Sequence, residues 1–452
     1  MALHEECGVF GIYDLNGGCA RDAYYGLYAL QHRGQEACGI ATINDLELSC
    51  RKDSGLVGEV FSEAELDALN GVMAIGHTRY STTGGGGREN AQPLTLKYVK
   101  GSLAVAHNGN LVNTEALKTE YEYKGAIFHT TTDSEIIAYI IAQERLQSGS
   151  IEEAVIRAMA HLRGAFSLVV MSSRKLLAAR DPWGFRPLCI GRRGEAYVFA
   201  SETCALDSVD ATFVRDVLPG EVVWVENGEL NSIRVQDRPP SRLCVFEYLY
   251  FARPDSVIDC QSVYESRLLA GKYLAREFPR EADVVIGVPD SGLVAAKGYA
   301  IESGIPYNDG FIKNRYVGRT FIKPGQAERE KAVRLKLNPL RAAIENRRVV
   351  VIDDSIVRGT TTRQTIKLLR DAGALEVHML SAAPKFISPC FFGTDIPDKS
   401  NLIAANYTTD EICARIDADS LGFLPVELLT KIAPDSMCGI CDACFTEDYP
   451  TE

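Results

Sequence analysis

The sequence predicts two domains, a strand-rich α+β domain followed by an α/β domain that contains a parallel sheet. The chain has 452 residues, which favours two units of about 200 residues each over one small core. Short apolar segments bounded by glycine or polar residues fill the first half, whereas the second half contains continuous apolar runs. The paired prolines and charges of Val235–Arg242, between the two halves, are typical of a linker.

Composition excludes several classes of protein. Hydrophobic residues make up 46% and charged residues 24% of the chain, as in ordinary globular enzymes. The net charge of −12 argues against a nucleic-acid partner, which requires a basic surface. There is no run of about eighteen apolar residues and Met1–Glu6 does not resemble a signal peptide, so we expect a cytoplasmic protein without membrane contact. The 13 cysteines indicate reduced thiols, some of them catalytic or metal-bound.

Hydrophobic periodicity predicts the elements of the first half. The predicted strands include Cys7–Tyr13, Val72–Ile75, Ser102–Ala106 and Phe166–Met171, and the predicted helices run from about Arg21 to Gln31 and from Ser134 to Glu144. Asp133 is a plausible N-cap of the second helix. The glycines of Thr82–Arg88 predict a loop.

The second half has the pattern of a parallel sheet with crossover helices. Ala282–Val288 and Arg347–Asp353 are continuous apolar runs, as expected for strands that are buried on both faces. A helix with Ile366, Leu369 and Ala372 on one side follows the second run, ends near Gly373 and leads to another apolar run. This order predicts a βαβ unit.

Cys7 gains significance from polar groups elsewhere in the first half, because a lone cysteine is most often a small buried apolar residue. The groups are His32–Glu36, Gly76–Ser81, His107–Leu111 and Thr131–Ser134. In this order they resemble the glutaminase domain of N-terminal-nucleophile amidotransferases, across essentially the whole first half. The resemblance implies an αββα sandwich and autocatalytic removal of a propeptide, residues 1–6. An α-amine on Cys7, with a pKa near about 8, would then serve as the general base for its thiol.

The resemblance also implies roles for residues around Cys7. The Asn108 side chain and the Gly109 N–H would form an oxyanion hole, Arg79 would pair with the glutamine α-carboxylate, Asp133 would hold the α-ammonium, and Arg33 would support the pocket wall. Taken alone, Asn108–Gly109 would indicate a hairpin turn, Asp133 an N-cap and Arg79 a surface charge. The histidines at positions 32, 77 and 107 are interpreted as structural.

A second candidate site follows the predicted strand Arg347–Asp353. Asp353 and Asp354 lie at its carboxyl end, where open α/β sheets bind their substrates. A loop and a helix N-terminus suited to phosphate come next, with Ser355, Arg358, Gly359, Thr360 and Thr361. The segment resembles the phosphoribosyl pyrophosphate (PRPP) motif of type I phosphoribosyltransferases.

The same resemblance extends to other parts of the second half. Gly287–Gly292 resembles the pyrophosphate loop, with Ser291 near a Mg²⁺ ion that Asp353 and Asp354 would also bind. Lys313–Phe321 resembles the loop that closes over PRPP, and Lys336 is a candidate pyrophosphate ligand. Read from the residues alone, the basic loop is equally compatible with a solvated turn, and Lys336 with a surface residue.

Cysteines are concentrated near the C-terminus, at positions 438, 441 and 444. The pattern alone is compatible with free cysteines, a zinc site or a [4Fe-4S] cluster. The whole chain resembles the iron–sulfur, propeptide-containing branch of the amidophosphoribosyltransferases, which implies a structural [4Fe-4S] cluster on Cys244, Cys390, Cys441 and Cys444. Cys438 is then an extra cysteine.

The resemblance implies transfer of ammonia from glutamine to PRPP, giving 5-phosphoribosylamine, glutamate and pyrophosphate in the first committed step of purine synthesis. It also implies purine nucleotide inhibitors and a homotetramer or homodimer. The expected domains are residues 7–235 and 236–452. Other glutaminase fusions, and a non-enzymatic regulator that senses PRPP or purines, are the alternatives. The Asp353–Thr362 segment disfavours the former, and the residues around Cys7 disfavour the latter.

Overall fold

The computed structural model describes residues 7–80, 87–235, 238–314, 337–394, 396 and 398–450. The expected propeptide, most of the glycine-rich loop, most of the expected PRPP-closing loop and Lys336 lie outside the described residues. No helix in the described part of the chain is long and apolar enough to cross a membrane.

The first half is built mainly from two antiparallel sheets. Its strands are β1 (Gly8–Tyr13), β2 (Ala37–Asn44), β3 (Glu47–Ser54), β4 (Met73–Arg79), β5 (Leu94–Tyr98), β6 (Gly101–Leu111), β7 (Gly164–Ser172), β8 (Leu176–Arg180), β9 (Cys189–Arg193), β10 (Ala196–Ala200), β11 (Thr212–Asp216), β12 (Glu221–Glu226) and β13 (Glu229–Arg234). One sheet has the order β11-β9-β10-β1-β4-β2-β3 and the other β13-β12-β8-β7-β6-β5.

Helices cover the outer faces of these sheets. They are α1 (Cys19–Ala29), α2 (Val57–Val60), α3 (Glu63–Ala68), α4 (Thr114–Tyr123), α5 (Asp133–Gln147), α6 (Ile151–Met159) and α7 (Thr203–Asp207). Apolar side chains such as Val9 and Ile75 from one sheet and Ala106 and Val169 from the other form the core between the sheets. Helices α1, α2, α3 and α7 pack on the first sheet, and α4, α5 and α6 on the second. The predicted αββα sandwich is confirmed.

The second half contains the predicted parallel sheet. Its strands are β14 (Leu243–Cys244), β15 (Val257–Ile258), β16 (Gln261–Ser262), β17 (Val284–Gly287), β18 (Phe311–Lys313), β19 (Leu337–Pro339), β20 (Arg348–Asp353), β21 (Glu376–Ser381), β22 (Ser420–Phe423) and β23 (Ile440–Cys441). The central sheet has the order β17-β20-β21-β22, with every pairing parallel. All of Val349–Ile352 is buried, as the continuous apolar run predicts.

Helices flank this sheet and tie the C-terminus to it. They are α8 (Val263–Glu277), α9 (Gly292–Ser303), α10 (Arg341–Ile344), α11 (Thr360–Asp371), α12 (Ile403–Asn406), α13 (Thr409–Ile416) and α14 (Ala443–Thr446), with a π-helical turn at Glu247–Phe251. The predicted βαβ unit corresponds to β20, α11 and β21. Strand β23 pairs in parallel with β14, so the C-terminal segment returns to the junction between the halves.

Candidate functional site

Cys7 lies immediately before β1 and is partly exposed, unlike a cysteine that only fills a core. Strand β1 starts with Gly8 opposite Thr78 of β4, so Cys7 lies beside the end of that strand. The Cys7 Sγ is 3.6 Å from the carbonyl oxygen of Tyr80. The Nε of Arg33 donates to the carbonyl oxygen of Cys7 at 3.0 Å, which fixes the backbone that carries the thiol.

Arg33, which the sequence predicts in the wall of the glutamine pocket, is bound by two buried carboxylates. Its guanidinium is fully buried and donates to Glu202 at 2.6 Å and to both carboxylate oxygens of Glu247 at 2.8 and 2.9 Å. Burial opposes its charge, but the two carboxylates outweigh this and raise the pKa of Arg33. Because these contacts occupy the guanidinium, Arg33 holds the Cys7 backbone and joins the two halves of the chain.

Arg79, the last residue of β4, is buried rather than a surface charge. A neighbouring histidine connects its strand to the other sheet: the Nε2 of His77 donates to the carbonyl oxygen of His107 at 3.0 Å. Burial lowers the pKa of His77 to about 3, so the ring is neutral. This bond links the strand of Arg79 to the strand of Asn108, which agrees with the structural role predicted for His77.

Asn108 and Gly109 lie within β6, opposite Ser167 and Phe166, so the alternative of a hairpin turn is wrong. The Asn108 side chain is fully buried, yet neither its Nδ2 nor its Oδ1 has a hydrogen-bond partner among the described residues. A buried amide without a partner is costly, so the Asn108 Nδ2 is a donor that a bound oxyanion could use. Gly109 has φ 139°, and a Cβ there would lie 2.2 Å from the Ala165 oxygen, which explains the glycine.

Asp133 is the first residue of α5, and Thr132 is its N-cap, so the predicted capping role of Asp133 is wrong. Its Oδ2 instead accepts a hydrogen bond from the Leu111 N–H at 3.0 Å, at the end of β6. Burial opposes ionisation, but the nearby His107 and these hydrogen bonds lower the pKa of Asp133. Asp133 is therefore an ionised carboxylate next to the strand of Asn108.

The carboxyl end of the parallel sheet brings Asp353, Asp354 and Ser291 together. The Ser291 hydroxyl donates to the Asp354 carboxylate, and the Asp354 N–H donates to Asp353 Oδ1 at 2.9 Å. Burial followed by repulsion from Asp354 raises the pKa of Asp353, and burial also raises the pKa of Asp354. Two adjacent carboxylates with a hydroxyl fit the oxygen ligands of a divalent cation, whose charge would reverse this shift.

The loop after Asp354 leads to a helix N-terminus. Ser355 donates to the Asp354 carboxylate, and Gly359, with φ 73°, is the N-cap of α11. Helix α11 starts at Thr360, where unpaired N–H groups and the helix dipole suit a phosphate. Arg358, in the same loop, is partly exposed. The structure therefore brings every predicted residue of this loop to the edge of the sheet that carries the two aspartates.

Four of the C-terminal and upstream cysteines line one small apolar pocket. Its lining includes Cys244, Cys390, Cys441 and Cys444 together with Phe185, Phe246, Phe392 and Tyr449. Pairing of β14 with β23 sets Cys244 opposite Cys441. Burial and then the neighbouring thiols raise the pKa of both Cys441 and Cys444. Cys438 lies elsewhere, beside Arg180 and Asp259.

Among the described residues, no group of three or more His, Cys, Asp or Glu side chains is arranged to hold one metal ion. Four thiols in the wall of one pocket are a donor set that suits either zinc or a [4Fe-4S] cluster, and metal ligation would remove the cost of deprotonating buried thiols.

Several residues of these sites are absent from the sequence-based prediction. Glu247 and Arg186, whose side chains are fully buried, form an ion pair at 3.4 Å, and Glu247 also binds Arg33. Arg267, also buried, donates to the carbonyl oxygens of Tyr248, Tyr250 and Ala252, and burial lowers its pKa to about 10. Their partners are distant in sequence or are backbone atoms, so no local pattern indicates them.

Each half of the chain is similar to a known protein family. A family described as a glutamine amidotransferase domain matches residues 77–208, and a phosphoribosyl transferase domain matches residues 261–385. The amidophosphoribosyltransferase of Methanocaldococcus jannaschii is 49% identical over 462 residues, covering 99% of this chain and 98% of the relative. That of Bacillus subtilis is 49% identical over 455 residues, covering 100% and 95%.

Solved structures give the same result. The glutamine PRPP amidotransferase of B. subtilis, solved with ADP and GMP, is 48% identical and superimposes with a TM-score of 0.92 over 99% of this chain and 98% of that one. A structure described as the allosteric regulatory enzyme of purine biosynthesis has the same TM-score of 0.92 and covers 99% of this chain and 96% of that one. The chain therefore belongs to the amidophosphoribosyltransferase family, in which a glutamine amidotransferase domain precedes a phosphoribosyltransferase domain.

Proposed function

We propose that this chain transfers ammonia from glutamine to PRPP, giving 5-phosphoribosylamine, glutamate and pyrophosphate in the first committed step of purine biosynthesis. The observation that carries the proposal is the pairing, in one chain, of two incomplete sites. In the first site, the partly exposed thiol of Cys7 precedes a strand of one sheet of the sandwich. The other sheet carries the buried Asn108 amide, which has no hydrogen-bond partner among the described residues. Two carboxylates meet at the end of a parallel strand.

In the glutaminase half, Cys7 is the nucleophile. Its sulfur attacks the side-chain carboxamide of glutamine, and the α-amine freed by removal of residues 1–6 accepts the thiol proton. The oxyanion of the tetrahedral intermediate accepts hydrogen bonds from the Asn108 Nδ2 and the Gly109 N–H. Ammonia leaves with a proton from the α-amine, and water hydrolyses the thioester to release glutamate. The orphaned amide of Asn108 supports this assignment.

Arg79 and Asp133 bind the amino-acid end of glutamine. The Arg79 guanidinium pairs with the α-carboxylate, and the ionised Asp133 carboxylate holds the α-ammonium. The buried position of Arg79 and the lowered pKa of Asp133 support these roles. Arg33 supports the wall of the glutamine pocket, and its hydrogen bond to the carbonyl of Cys7 supports this role.

In the phosphoribosyl half, ammonia attacks C1 of the ribose and pyrophosphate leaves. Asp353 and Asp354 orient the ribose hydroxyls, and with Ser291 they would hold Mg²⁺, which neutralises charge on the leaving pyrophosphate. Ser355, Arg358, Gly359, Thr360 and Thr361 bind the 5-phosphate at the start of α11. Lys336, assigned to the pyrophosphate, lies outside the described residues. The convergence of Asp353, Asp354 and Ser291 supports these roles.

We also propose that Cys244, Cys390, Cys441 and Cys444 bind a structural [4Fe-4S] cluster. Their shared pocket supports this set over one that includes Cys438. The cluster would join the C-terminal segment to the junction of the two halves, since Cys244 and Cys441 belong to paired strands. The proposed reaction requires no electron transfer, so the cluster takes no part in it.

Further properties of the chain are proposed from the family resemblance of its sequence. Residues 1–6 form the propeptide, residues 7–235 the glutaminase domain and residues 236–452 the phosphoribosyltransferase domain. Purine nucleotides inhibit the enzyme, a proposal supported by the relative that was solved with ADP and GMP. The enzyme acts in the cytoplasm as a homotetramer or homodimer.

Two measurements test the reaction and the processing. With glutamine labelled by ¹⁵N in its side-chain amide, the label is expected in 5-phosphoribosylamine when PRPP and Mg²⁺ are present. Label only in free ammonia would contradict the proposed transfer. Mass spectrometry of the active protein is expected to show a chain that begins at Cys7, and a fully active chain that begins at Met1 would exclude the α-amine as base.

The cluster assignment has its own test. The purified protein is expected to be brown and to contain iron and sulfide rather than zinc. Cys441→Ser is expected to lose the visible absorbance and the iron. Cys438→Ser is the matched control and is expected to keep both, and the opposite result for the two variants would transfer the ligand role to Cys438.

A further inference from the structure

A short segment of the second half, Phe391–Thr394, lies directly against the strand that carries Asn108 and Gly109. We call it the crossing segment, because it belongs to the connection between β21 and β22 of the parallel sheet yet contacts β6 of the sandwich. The Nδ2 of Asn110 donates to the carbonyl oxygen of Phe391 at 2.9 Å. Asn110 is the residue after Gly109, so this bond reaches the strand next to the proposed oxyanion donors.

Gly393 allows the backbone of the crossing segment to lie close against β6. Its φ is 112°, and a Cβ at this position would lie 3.3 Å from the carbonyl carbon of Gly109 and 3.5 Å from the nitrogen of Asn110. The same Cβ would lie 3.2 Å from the Arg186 guanidinium. A side chain here would press on the strand, so the glycine permits a direct backbone contact.

Arg186 and Phe185 hold the other side of the crossing segment in place. The buried Arg186 guanidinium donates to the carbonyl oxygen of Phe392 at 2.8 Å and to Oγ1 of Thr394 at 3.3 Å. The ring of Phe185 stacks on that of Phe392 with 4.3 Å between the ring centres. Glu247 pairs with both Arg186 and Arg33, so the same buried carboxylate joins the crossing segment to the backbone of Cys7.

The position of β6 matters because no described side chain orients the Asn108 amide. Both its polar atoms lack partners among the described residues, so the backbone of β6 and the surrounding packing set its direction. An oxyanion donor stabilises the transition state only when it is aimed at the developing charge. A misplacement of about 1 Å at a reacting centre reduces rates by about 100-fold. Contacts that hold the strand beside Asn108 therefore influence the rate.

We propose that Asn110 is a positioning residue for glutamine hydrolysis, and that the crossing segment of the second domain holds the oxyanion strand of the first through Asn110 and Gly393. The inference rests on the proposed oxyanion role of Asn108. Glutamine hydrolysis then depends on a contact supplied by the phosphoribosyltransferase domain, while phosphoribosyl transfer from free ammonia does not depend on Asn110.

The test is steady-state kinetics of the full-length Asn110→Ala variant. Its kcat for glutamine hydrolysis is expected to fall by about 10-fold to 100-fold, because oxyanion contacts act in the transition state. The KM for glutamine and ammonia-dependent synthesis are expected to stay unchanged, and so is the rate at which iodoacetamide alkylates Cys7. A rise in KM with unchanged kcat, or equal losses with glutamine and ammonia, would overturn the proposal.

Matched variants keep the result interpretable. Asn113→Ala removes a similar bond, from Asn113 Nδ2 to the carbonyl oxygen of His161 at 2.9 Å, and also the bond that its Oδ1 accepts from the Arg163 N–H at 3.1 Å. It is expected to leave kcat unchanged. Gly393→Ala adds a methyl group against Gly109 and is expected to reduce kcat as Asn110→Ala does. If both Asn110→Ala and Gly393→Ala keep full glutamine activity, the proposed positioning role is wrong.

Asn108→Ala separates this inference from the function on which it rests. If Asn108→Ala loses activity with glutamine while Asn110→Ala keeps it, the oxyanion assignment stands and the positioning role is excluded. If Asn108→Ala keeps full activity with glutamine, the oxyanion assignment itself is wrong, and the inference is wrong with it.

Discussion

The two candidate sites differ in how their buried charges are balanced. Around Cys7, the Arg33 guanidinium lies between Glu202 and Glu247 at 2.6 to 2.9 Å, so positive and negative groups compensate each other. At the end of β20, Asp353 and Asp354 are adjacent, and burial with mutual repulsion raises the pKa of Asp353. The charges of the first network are balanced within the protein, whereas the two carboxylates of the second site repel each other.

The proposed substrates explain the difference. The reacting group of glutamine is a neutral carboxamide that brings no counter-ion, so donors and charges must already be in place when it binds. PRPP carries several negative charges and binds with a divalent cation, so a pair of uncompensated carboxylates is completed by the ligand. An unbalanced charge or an unpartnered polar atom in a site therefore indicates the charge or the hydrogen-bonding group that the substrate supplies.

Replacement of the nucleophile has the largest expected effect and separates the two sites most sharply. Cys7→Ala is expected to reduce glutamine-dependent synthesis by about 10⁴-fold or more, because the thioester cannot form. Synthesis from a high concentration of ammonia is expected to persist, since the phosphoribosyl site is intact. Cys50→Ala, at an exposed cysteine of the same domain, is the control and is expected to keep both activities. Survival of glutamine-dependent activity in Cys7→Ala would refute the assignment.

Removal of Glu247 breaks the compensated network of the first site. Glu247→Leu leaves Arg33 and Arg186 with less negative charge in a fully buried place, which is expected to lower the free energy of unfolding by about 3 to 5 kcal/mol. Urea denaturation measures the loss. Glu281→Gln, which removes an exposed partner of Arg348, is expected to change stability by less than about 1 kcal/mol. Equal losses in the two variants would show that the buried ion pairs of Glu247 contribute no more to stability than an exposed ion pair.

Neutralisation of one carboxylate at the second site is expected to have the opposite effect on stability. Without Mg²⁺, Asp353→Asn removes repulsion from Asp354 and is expected to raise the free energy of unfolding. The same variant is expected to lose synthesis from both glutamine and ammonia, because it removes a PRPP and cation ligand. Thermal unfolding and the two synthesis assays measure these effects. A destabilised variant would show that the pair is already compensated in the free protein.

A smaller, pH-dependent effect is expected at the junction between the halves. Asp216 lies near the buried Arg180–Asp259 ion pair, and burial followed by repulsion from Asp259 raises its pKa from 3.8 to about 7. A raised folded pKa gives stability that is full below about pH 4 and is lost as the pH rises through about 7. The side chain in Asp216→Asn is neutral at every pH. The fall in the free energy of unfolding between pH 5 and 8, measured by urea denaturation, is therefore expected to be smaller by about 1 to 2 kcal/mol in this variant. An unchanged slope would assign the pH dependence to other groups.

Local patterns in the sequence predicted most elements but not the caps and turns at the site. The strand around Val349–Ile352 and the helix after it follow from an apolar run and a glycine stop. Asp133 was predicted as an N-cap, but the Leu111 N–H, 22 positions away, is its partner. Asn108–Gly109 has the composition of a turn and yet lies within β6. Tertiary pairing overrode the local preference in both cases.

The sequence by itself determined the order of the elements and the chemically distinctive residues, because periodicity and turn chemistry depend on neighbours along the chain. Cys7, Asp353 and Asp354 belong to this group. The tertiary structure alone decided how charge is balanced and which groups meet. Glu247 reaches Arg33 across 214 positions, and Cys441, rather than Cys438, faces Cys244. Such contacts depend on how distant segments pack, and no local pattern encodes that packing.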